Sequence, residues 1–218
     1  MDYEKDTRLA YNDIKAKKYK EQQTKGISWM RLTTWRERLC VKKAIKECKL
    51  TKTDKILDIP CGTGILADIL SKFSSYIVAS DISREMMNFT LEDYKANIIG
   101  FIQADITKTP FKKDTFNCVI TIGLMHRLPV DIRLQTLQEI TSISNRFIII
   151  SYSIDSPSQR LKHWMIGKIF PSHKSAPSPL AMQQISRELD ANKLVIKRKF
   201  NVITFLSAEV ILLLEKRH

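Results

Sequence analysis

A short turn bearing two glycines is the strongest chemical signal in the sequence. Residues Ile56 to Gly64 read Ile-Leu-Asp-Ile-Pro-Cys-Gly-Thr-Gly, an apolar strand that runs into a turn and then a helix. Glycine lets the backbone approach a ligand closely, and the amides that open the helix point towards that ligand. Gly62, Gly64 and Ala67 also fit the G-x-G-x-x-A pattern of dinucleotide-binding enzymes. However, Asp58 ends the strand ahead of the glycines, and a carboxylate there suits an ammonium group better than a pyrophosphate.

The elements that position this turn are an alternation of apolar strands and helices over residues 51–153. Five β-branched, mostly apolar runs are typical of parallel strands that are covered on both faces. Apolar residues at helical spacing lie between them, so right-handed crossovers are expected. The predicted strands are Lys55–Ile59, Tyr76–Ile82, Ile98–Ala104, Asn117–Ile122 and Arg146–Tyr152, and the predicted helices are Gly64–Phe73, Arg84–Tyr94 and Asp131–Ser144.

Further elements flank this alternation on both sides. An amphipathic helix is predicted over Trp29–Lys49, and residues 1–50 as a whole are expected to form an N-terminal helical extension and cap. Residues 51–218 are expected to form the ligand-binding domain, with a lid inserted at about 155–179, because that segment is too long for a plain connection. A helix over Pro179–Asn192 and an antiparallel hairpin of Leu194–Phe205 and Glu209–Lys216 complete the chain.

The glycine turn resembles the first motif of the class I S-adenosylmethionine-dependent methyltransferases, which reads hydrophobic-Asp-x-Gly-Cys-Gly-x-Gly. The sequence matches this motif from Leu57 to Gly64 and departs from it at Pro60, where glycine is usual. The resemblance implies an α/β fold, a doubly wound seven-stranded and mostly parallel sheet with helices on both faces. The implied strand order is 3-2-1-4-5-7-6, with the last strand antiparallel.

Three more motifs follow in the family's order and imply how S-adenosylmethionine is held. Asp81 ends the second strand, where the family's acidic residue accepts both ribose hydroxyls, and Asp105 ends the third, where the family's Asp takes the adenine amino group. The stretch Thr109–Asn117 resembles the family's approach to strand four, with Asn117 replacing the usual Asp. The cofactor-binding residues implied by the resemblance are Asp58, Pro60, Cys61, Gly62, Gly64, Asp81, Ile82, Asp105, Ile106 and Gly123.

The segment after strand four is expected to face the transferred methyl group. His126 is the candidate catalytic residue because an imidazole has an ordinary pKa of about 6.5 and accepts a proton near neutral pH. Packing beside the cofactor without a catalytic role is the alternative for the same side chain. The candidate substrate-binding residues are Tyr11 and Tyr19 in the extension and His163 and Trp164 in the lid.

The acceptor is expected to be a small or lipid-like molecule that is methylated on oxygen or nitrogen, with an anionic group as one option. No Asn/Asp-Pro-Pro-aromatic tetrapeptide follows strand four, which argues against methylation of an exocyclic base nitrogen. RNA methylation is the first alternative, since basic flanks and aromatic residues suit RNA. A methyltransferase-fold protein without catalysis is the second, because Pro60 and Asn117 depart from the family pattern. A monomer and a homodimer both remain open.

The net charge of +13 is concentrated at the two ends of the chain. Residues 1–50 hold 14 basic against 7 acidic residues, residues 51–153 hold 11 of each, and residues 154–218 hold 11 against 5. These flanks would attract an anionic partner, although a solvated basic surface explains them equally well. The sequence has no apolar run of the roughly 18 residues that span a bilayer and no apolar core of a secretory signal, so a cytoplasmic protein is expected. The four cysteines are widely spaced, so no metal site is expected.

Overall fold

The computed structural model describes residues 13–25, 29–93, 98–155, 179–203 and 207–217, and every structural statement below concerns these residues. The strands are β1 (Lys55–Asp58), β2 (Tyr76–Asp81), β3 (Ile98–Gln103), β4 (Phe116–Thr121), β5 (Ser144–Ser153), β6 (Leu194–Asn201) and β7 (Glu209–Lys216). The helices are α1 (Asp13–Thr24), α2 (Trp29–Cys48), α3 (Ala67–Leu70), α4 (Arg84–Asp93), α5 (Val130–Ile143) and α6 (Met182–Ala191), with a 3-10 turn at Met125–Arg127.

One seven-stranded sheet organises the chain, in the order β3-β2-β1-β4-β5-β7-β6. The first five strands pair in parallel, and β7 is antiparallel to both β5 and β6. The order reverses between β1 and β4, which are neighbours although two strands separate them in sequence. Ligands in open α/β sheets bind at such a switch point, beyond the carboxyl ends of the strands. The fold class and strand order predicted from the sequence are confirmed.

Two apolar layers hold the sheet, one on each face. Successive strand residues point to opposite faces, so Ile56 packs in the layer under α2, α3 and α4, while Leu57 packs in the layer under α5 and α6. Both side chains are fully buried. Burying an aliphatic side chain of this size contributes about 1.5–3 kcal/mol, so these layers dominate the stability of the fold. Helix α2 takes part in the first layer through Cys40, Val41, Ala44, Ile45 and Cys48.

A buried ion pair joins the two helices on the second face. The Nε and Nη2 atoms of Arg133 in α5 donate to the Oε2 and Oε1 atoms of Glu188 in α6, at 2.9 and 2.7 Å. The remaining Nη1 of Arg133 donates to the carbonyl of Leu128 at 3.2 Å. Removing one member of such a pair leaves an uncompensated buried charge. The pair therefore fixes both the helix packing and the loop that contains Leu128.

The first crossover helix differs most from its predicted extent. The pattern predicts a helix over Gly64–Phe73, but α3 begins at Ala67 and ends at Leu70. Gly62 and Gly64 have φ angles of +54° and +79°, which a right-handed helix does not accommodate. The turn therefore continues through these residues and shortens the helix. The other predicted elements agree in type and differ by a few residues at their ends, as for β6, which ends at Asn201.

A helix that crosses a bilayer needs about 20 mostly apolar residues. None of the described helices combines that length with such a composition.

Candidate active site

A cavity of about 660 Å³ opens at the carboxyl ends of β1, β2, β3 and β4. The sequence places an acidic residue at or just after the end of three of these strands, and all three line the cavity: Asp58, Asp81 and Asp105. Apolar residues of the loops complete the wall, including Ile65, Leu66, Leu124, Leu128 and Ile132. The cavity is therefore an apolar pocket with a small number of convergent polar groups, as ligand sites usually are.

The glycine turn forms the floor of this cavity at β1. Gly62 adopts a φ of +54°, and its amide donates to Oδ2 of Asp81 at 2.8 Å. A Cβ built on Gly62 would lie 3.7 Å from Cε of Met86, so the position is restricted by its backbone conformation more than by space. The hydroxyl of Thr90 donates to the carbonyl of Gly62 at 2.6 Å. These contacts hold the turn against β2 and α4.

The carboxylate of Asp81 is buried and already hydrogen-bonded at both oxygens. Besides the bond from Gly62, the amide of Ser83 donates to Oδ1 of Asp81 at 2.9 Å. Burial raises the pKa of Asp81 to about 6, and the amides of Ser83, Gly62 and Ile82 oppose this rise. Each carboxylate oxygen has a second lone pair, so Asp81 can still accept two further hydrogen bonds from the cavity side. At neutral pH the group is an oriented acceptor of hydrogen bonds.

The other two strand-end carboxylates line different parts of the same cavity. Asp58 is almost completely buried at the end of β1. Asp105 lies beyond β3, where its Oδ1 accepts hydrogen bonds from the amide and the hydroxyl of Thr107, at 2.8 and 2.9 Å. This local turn fixes the Asp105 carboxylate next to the buried side chain of Ile106. Three acidic side chains thus border the cavity in strand order.

Helix α1 covers the cavity above the glycine turn. Tyr19 and Gln23 of this helix line the cavity, and the hydroxyl of Thr63 donates to Oε1 of Gln23 at 3.0 Å. Both partners of this hydrogen bond are buried. Lys20 donates to the carbonyl of Phe89 at 3.1 Å, which ties α1 to α4 as well. The helix therefore covers the side of the cavity next to the glycine turn.

A pair of carboxyl groups lies at the wall of the cavity beside α2. Glu37, one helical turn before Cys40, is 8% exposed and lines the cavity. Its side chain is hydrogen-bonded to that of Glu209, the first residue of β7. Burial, and then the charge and the hydrogen bond of Glu209, raise the pKa of Glu37 well above its usual range, while the charge of Arg127 opposes the rise. Burial and the neighbouring carboxyl group thus favour the protonated form of Glu37.

His126 and Cys61 differ in their relation to the cavity. His126 does not line it, and its Nδ1 has no hydrogen-bond partner among the described residues. Burial and the charge of Arg127 lower the pKa of His126 to about 4, so the imidazole is neutral at pH 7. Cys61 lines the cavity, but burial raises the pKa of its thiol well above the ordinary value. A protonated thiol is a poor nucleophile, so Cys61 is suited to packing.

The structure brings most of the predicted site residues together. Those that line the cavity are Tyr19, Asp58, Pro60, Cys61, Gly62, Asp81, Ile82, Asp105, Ile106 and Gly123. Gly64 does not line it, because this glycine serves the turn that ends before α3. Tyr11, His163 and Trp164 lie outside the described residues. The catalytic role of His126 and the individual binding roles stay predictions.

Several cavity residues were missed by reasoning from the sequence. Glu37 carried a usable signal, since it is a charged residue on the otherwise buried face of the amphipathic helix α2. Arg127, next to His126, also lines the cavity; it belongs to the segment that was expected to face the methyl group, but the sequence suggested no individual role for it. The sequence contained no signal for Gln23 and Thr63, because their hydrogen bond joins residues that are 40 positions apart.

The ends of the predicted lid lie beside this site. The amide of Asp155 donates to the carbonyl of Leu180 at 3.0 Å, and the amide of Leu180 donates to the carbonyl of Ser153 at 2.8 Å. Residues 155 and 180 are thus adjacent at the carboxyl end of β5. The chain leaves and rejoins the sheet at the edge that carries the cavity.

A doubly wound sheet of this order, with a glycine turn and acidic strand ends around one cavity, defines a Rossmann-like ligand-binding protein. Residues 56–145 match the family model described as a methyltransferase domain. The structure resembles magnesium protoporphyrin IX methyltransferase from Synechocystis with bound SAH, with a TM-score of 0.80, 17% identity and coverage of 97% of this chain and 98% of that one. The PH0226 protein from Pyrococcus horikoshii gives a TM-score of 0.69, 17% identity and coverage of 92% and 99%.

The curated relatives that the chain matches are also methyltransferases. Ubiquinone/menaquinone biosynthesis C-methyltransferase UbiE from Pseudomonas putida is 28% identical over 146 residues, which is 63% of this chain and 55% of that protein. The same enzyme from Methylococcus capsulatus is 28% identical over 124 residues, or 53% of this chain and 50% of that protein. The chain thus spans about half the length of the curated relatives it matches. Residues 56–145 are therefore similar to a methyltransferase domain, and the chain has the fold of the solved methyltransferase structure that it resembles.

Proposed function

We propose that the protein transfers a methyl group from S-adenosylmethionine to a small-molecule acceptor. One observation carries the proposal: the carboxylates of Asp58, Asp81 and Asp105 border one cavity in strand order, beside a glycine turn. An ammonium group, a ribose diol and an adenine amino group all donate hydrogen bonds, so three acceptors in a row suit all three parts of the cofactor. A dinucleotide pyrophosphate would meet repulsion from Asp58 instead.

The described residues fit this cofactor in conformation as well as in charge. Gly62 and Gly123 line the cavity with φ angles of +54° and +73°, a backbone conformation that favours glycine. When bound, S-adenosylmethionine supplies a methyl group on a positively charged sulfonium, so the protein must chiefly align the acceptor and exclude water. Tyr19 and Gln23 of α1 cover the cofactor side and support that exclusion. The segment at about 155–179 is proposed as the lid over the acceptor.

The acceptor is proposed to be a small molecule methylated on oxygen or nitrogen. The walls beyond the acidic strand ends are mostly apolar, which favours an organic molecule with a limited polar surface. UbiE relatives are C-methyltransferases of ubiquinone and menaquinone biosynthesis, and the Synechocystis enzyme is a magnesium protoporphyrin IX methyltransferase. Both names support a small acceptor, and they leave the methylated atom of this protein as a proposal.

RNA is less well supported as an acceptor. Among the described residues, the cavity is lined by one guanidinium, that of Arg127, and by the carboxyl groups of Glu37, Asp58, Asp81, Asp105 and Asp131. An acidic wall of this kind repels a polyanion and gives no support to an anionic acceptor. Binding of labelled RNA measured between low and physiological salt tests this alternative, since a log–log slope of several units would favour RNA. We expect no such slope.

Loss of catalysis is also poorly supported by the two departures from the family pattern. Asn117 accepts a hydrogen bond from the amide of Lys55 at 2.8 Å, where β1 begins. This contact lies at the amino edge of the sheet, opposite the cavity. Pro60 lines the cavity, but the neighbouring amide of Gly62 is intact and bound to Asp81. Neither residue removes a group that the proposed reaction needs.

Two measurements test the proposal together. Calorimetric titration with S-adenosylhomocysteine is expected to give saturable binding at one site, and reduced nicotinamide dinucleotides are expected not to compete. Cell extract incubated with methyl-labelled S-adenosylmethionine is then separated into solvent-soluble and RNA fractions. Label in the solvent-soluble fraction is the expected result. Preferential binding of a nicotinamide dinucleotide would contradict the family-based site, and label confined to RNA would contradict the acceptor class.

A further inference from the structure

The buried carboxyl pair at the cavity wall is not explained by cofactor binding. Glu37 comes from α2, and Glu209 comes from β7, near the far side of the sheet from the cofactor strands β2 and β3. Two acidic side chains in contact are unfavourable unless they share a proton or perform a function. Glu37 faces the cavity, whereas Glu209 is not part of the lining. The pair therefore connects the cavity with a half-buried carboxyl group at the start of β7, opposite the end of β5.

The surroundings of the pair give its two members different roles. The side chain of Ser151 in β5 is hydrogen-bonded to Glu209, and the same hydroxyl oxygen accepts the amide of Gly123 at 2.7 Å. Arg127, from the 3-10 turn, supplies positive charge to both carboxyl groups. With one shared proton, the two glutamates and Arg127 have no net charge. Burial raises the pKa of Glu209 as well, but the hydrogen bond with Glu37, the charge of Arg127 and the hydrogen bond with Ser151 oppose this rise. Glu37 is therefore taken as the member that donates the shared proton.

The geometry points to Glu37 and Glu209 as a proton relay for an acceptor that carries a neutral, weakly acidic hydroxyl group, such as a phenol or an enol. This inference rests on the proposed methyltransferase function and narrows its substrate class. Glu37 offers the cavity an oxygen that accepts a hydrogen bond while its own proton is directed at Glu209. A hydroxyl group complements that oxygen, and the neutral cluster imposes no charge on the acceptor.

With this relay, the bonds and protons of the methyl transfer balance without any reactant besides the acceptor and S-adenosylmethionine. The acceptor oxygen forms its bond to the methyl carbon as the carbon–sulfur bond breaks, and the bonding pair remains on sulfur. The hydroxyl proton passes to the free oxygen of Glu37, while the proton that Glu37 already holds passes to Glu209. Glu209 ends as a neutral acid beside Ser151 and Arg127. The positive charge of the released proton thereby ends at Glu209, away from the methylated oxygen.

The relay also explains why His126 is less suited to this task. Its pKa is lowered to about 4, so the imidazole is a weak base, and it does not line the cavity. A carboxyl pair with a raised pKa accepts a proton more readily at neutral pH.

The first experiment tests the shared proton without any acceptor. Because folding raises the pKa of Glu37, the folded protein binds more protons than the unfolded chain, and this contribution to stability is lost as pH rises above about 4.5. Urea unfolding of wild type, Glu37→Gln and Glu47→Gln is compared at several pH values. Glu47 is an exposed residue of the same helix, so its variant is the matched control. We expect wild type to lose stability relative to Glu37→Gln as pH rises above about 4.5, and Glu47→Gln to follow wild type; parallel curves for all three would overturn the proton-sharing assignment.

The second experiment uses catechol and its proton-free counterpart 1,2-dimethoxybenzene as acceptor probes. Ligand-observed NMR on the protein loaded with S-adenosylhomocysteine is expected to show catechol binding at least fivefold tighter. Methyl transfer from labelled S-adenosylmethionine to catechol is then measured at saturation. Glutamine keeps the hydrogen-bonding oxygen but cannot relay a proton, so Glu37→Gln is expected to bind catechol as wild type does and to react about 100-fold more slowly. The Glu47→Gln control should match wild type in both measurements.

The outcomes separate this inference from the proposed function. If wild type fails to bind S-adenosylhomocysteine, the proposed function is wrong. If it binds the cofactor but treats catechol and dimethoxybenzene alike, or does not methylate catechol, the hydroxyl acceptor class is wrong. Equal rates for wild type and Glu37→Gln would overturn the relay alone.

Discussion

Replacing Asp81 by asparagine tests the proposed cofactor site at a residue whose hydrogen bonds are well defined. Asp81 accepts hydrogen bonds from the Gly62 and Ser83 amides at 2.8 and 2.9 Å, and it lines the cavity where we propose that the ribose diol binds. The asparagine side chain is neutral, and its amide nitrogen would face one of these N–H donors instead of accepting from it. Losing two charge-assisted hydrogen bonds costs roughly 2–4 kcal/mol, which corresponds to roughly a 30- to 900-fold rise in the Kd of S-adenosylhomocysteine.

The pH dependence of the Kd provides a second, independent test of the role of Asp81. The pKa of Asp81 is about 6 in the free protein, so the carboxylate is ionised at pH 8 and mostly protonated at pH 5. If the ribose binds the ionised form, the Kd of wild type should rise about tenfold from pH 8 to pH 5. The asparagine variant has no charge to lose at this position, so its weaker binding should change little over the same range.

Calorimetric titrations of wild type, Asp81→Asn and Asp68→Asn at pH 8 and pH 5 provide the comparison. Asp68 is an exposed acid at the start of α3 that pairs with Arg38, and its variant should bind and titrate as wild type does. Thermal unfolding of each protein separates lost binding from lost structure. An unchanged Kd in Asp81→Asn, or the same loss of affinity at pH 5 as in wild type, would refute the assignment of this carboxylate to the ribose.

The remaining predictions concern the fold and one titration. Arg133→Met leaves Glu188 buried without its ion partner, so urea unfolding should show a loss of about 3–5 kcal/mol, and restoration by the further change Glu188→Leu is expected. Because folding lowers the pKa of His126 to about 4, stability should fall as pH decreases from about 6.5 to 4, and His126→Asn should reduce this fall. Removing residues 1–28 deletes the Gln23 contact and should weaken S-adenosylhomocysteine binding while calorimetry still shows cooperative unfolding. Removing residues 1–50 also deletes the apolar face of α2 and should abolish that cooperativity.

The sequence by itself determined the sheet and the edge of the sheet at which the cavity lies. Strand composition, crossover spacing and the glycine turn depend on residues that are close together in the sequence, so they can be predicted from it. The carboxylates Asp58, Asp81 and Asp105 followed from the same logic, since parallel strands bring their carboxyl ends to one edge. The extent of α3 was misjudged because positive φ angles at Gly62 and Gly64 cannot be read from apolar spacing.

The tertiary structure alone decided which side chains complete the cavity. Glu37 and Glu209 are 172 positions apart, and their contact exists because α2 packs across the sheet against the antiparallel strand β7. Their shared proton depends on burial, which is a property of the packed molecule and not of either residue. His126 does not line the cavity, and burial and the charge of Arg127 lower its pKa, although the sequence made it the candidate base. Strand ends follow from local sequence, whereas the ionisation of a side chain follows from the distant residues that surround it.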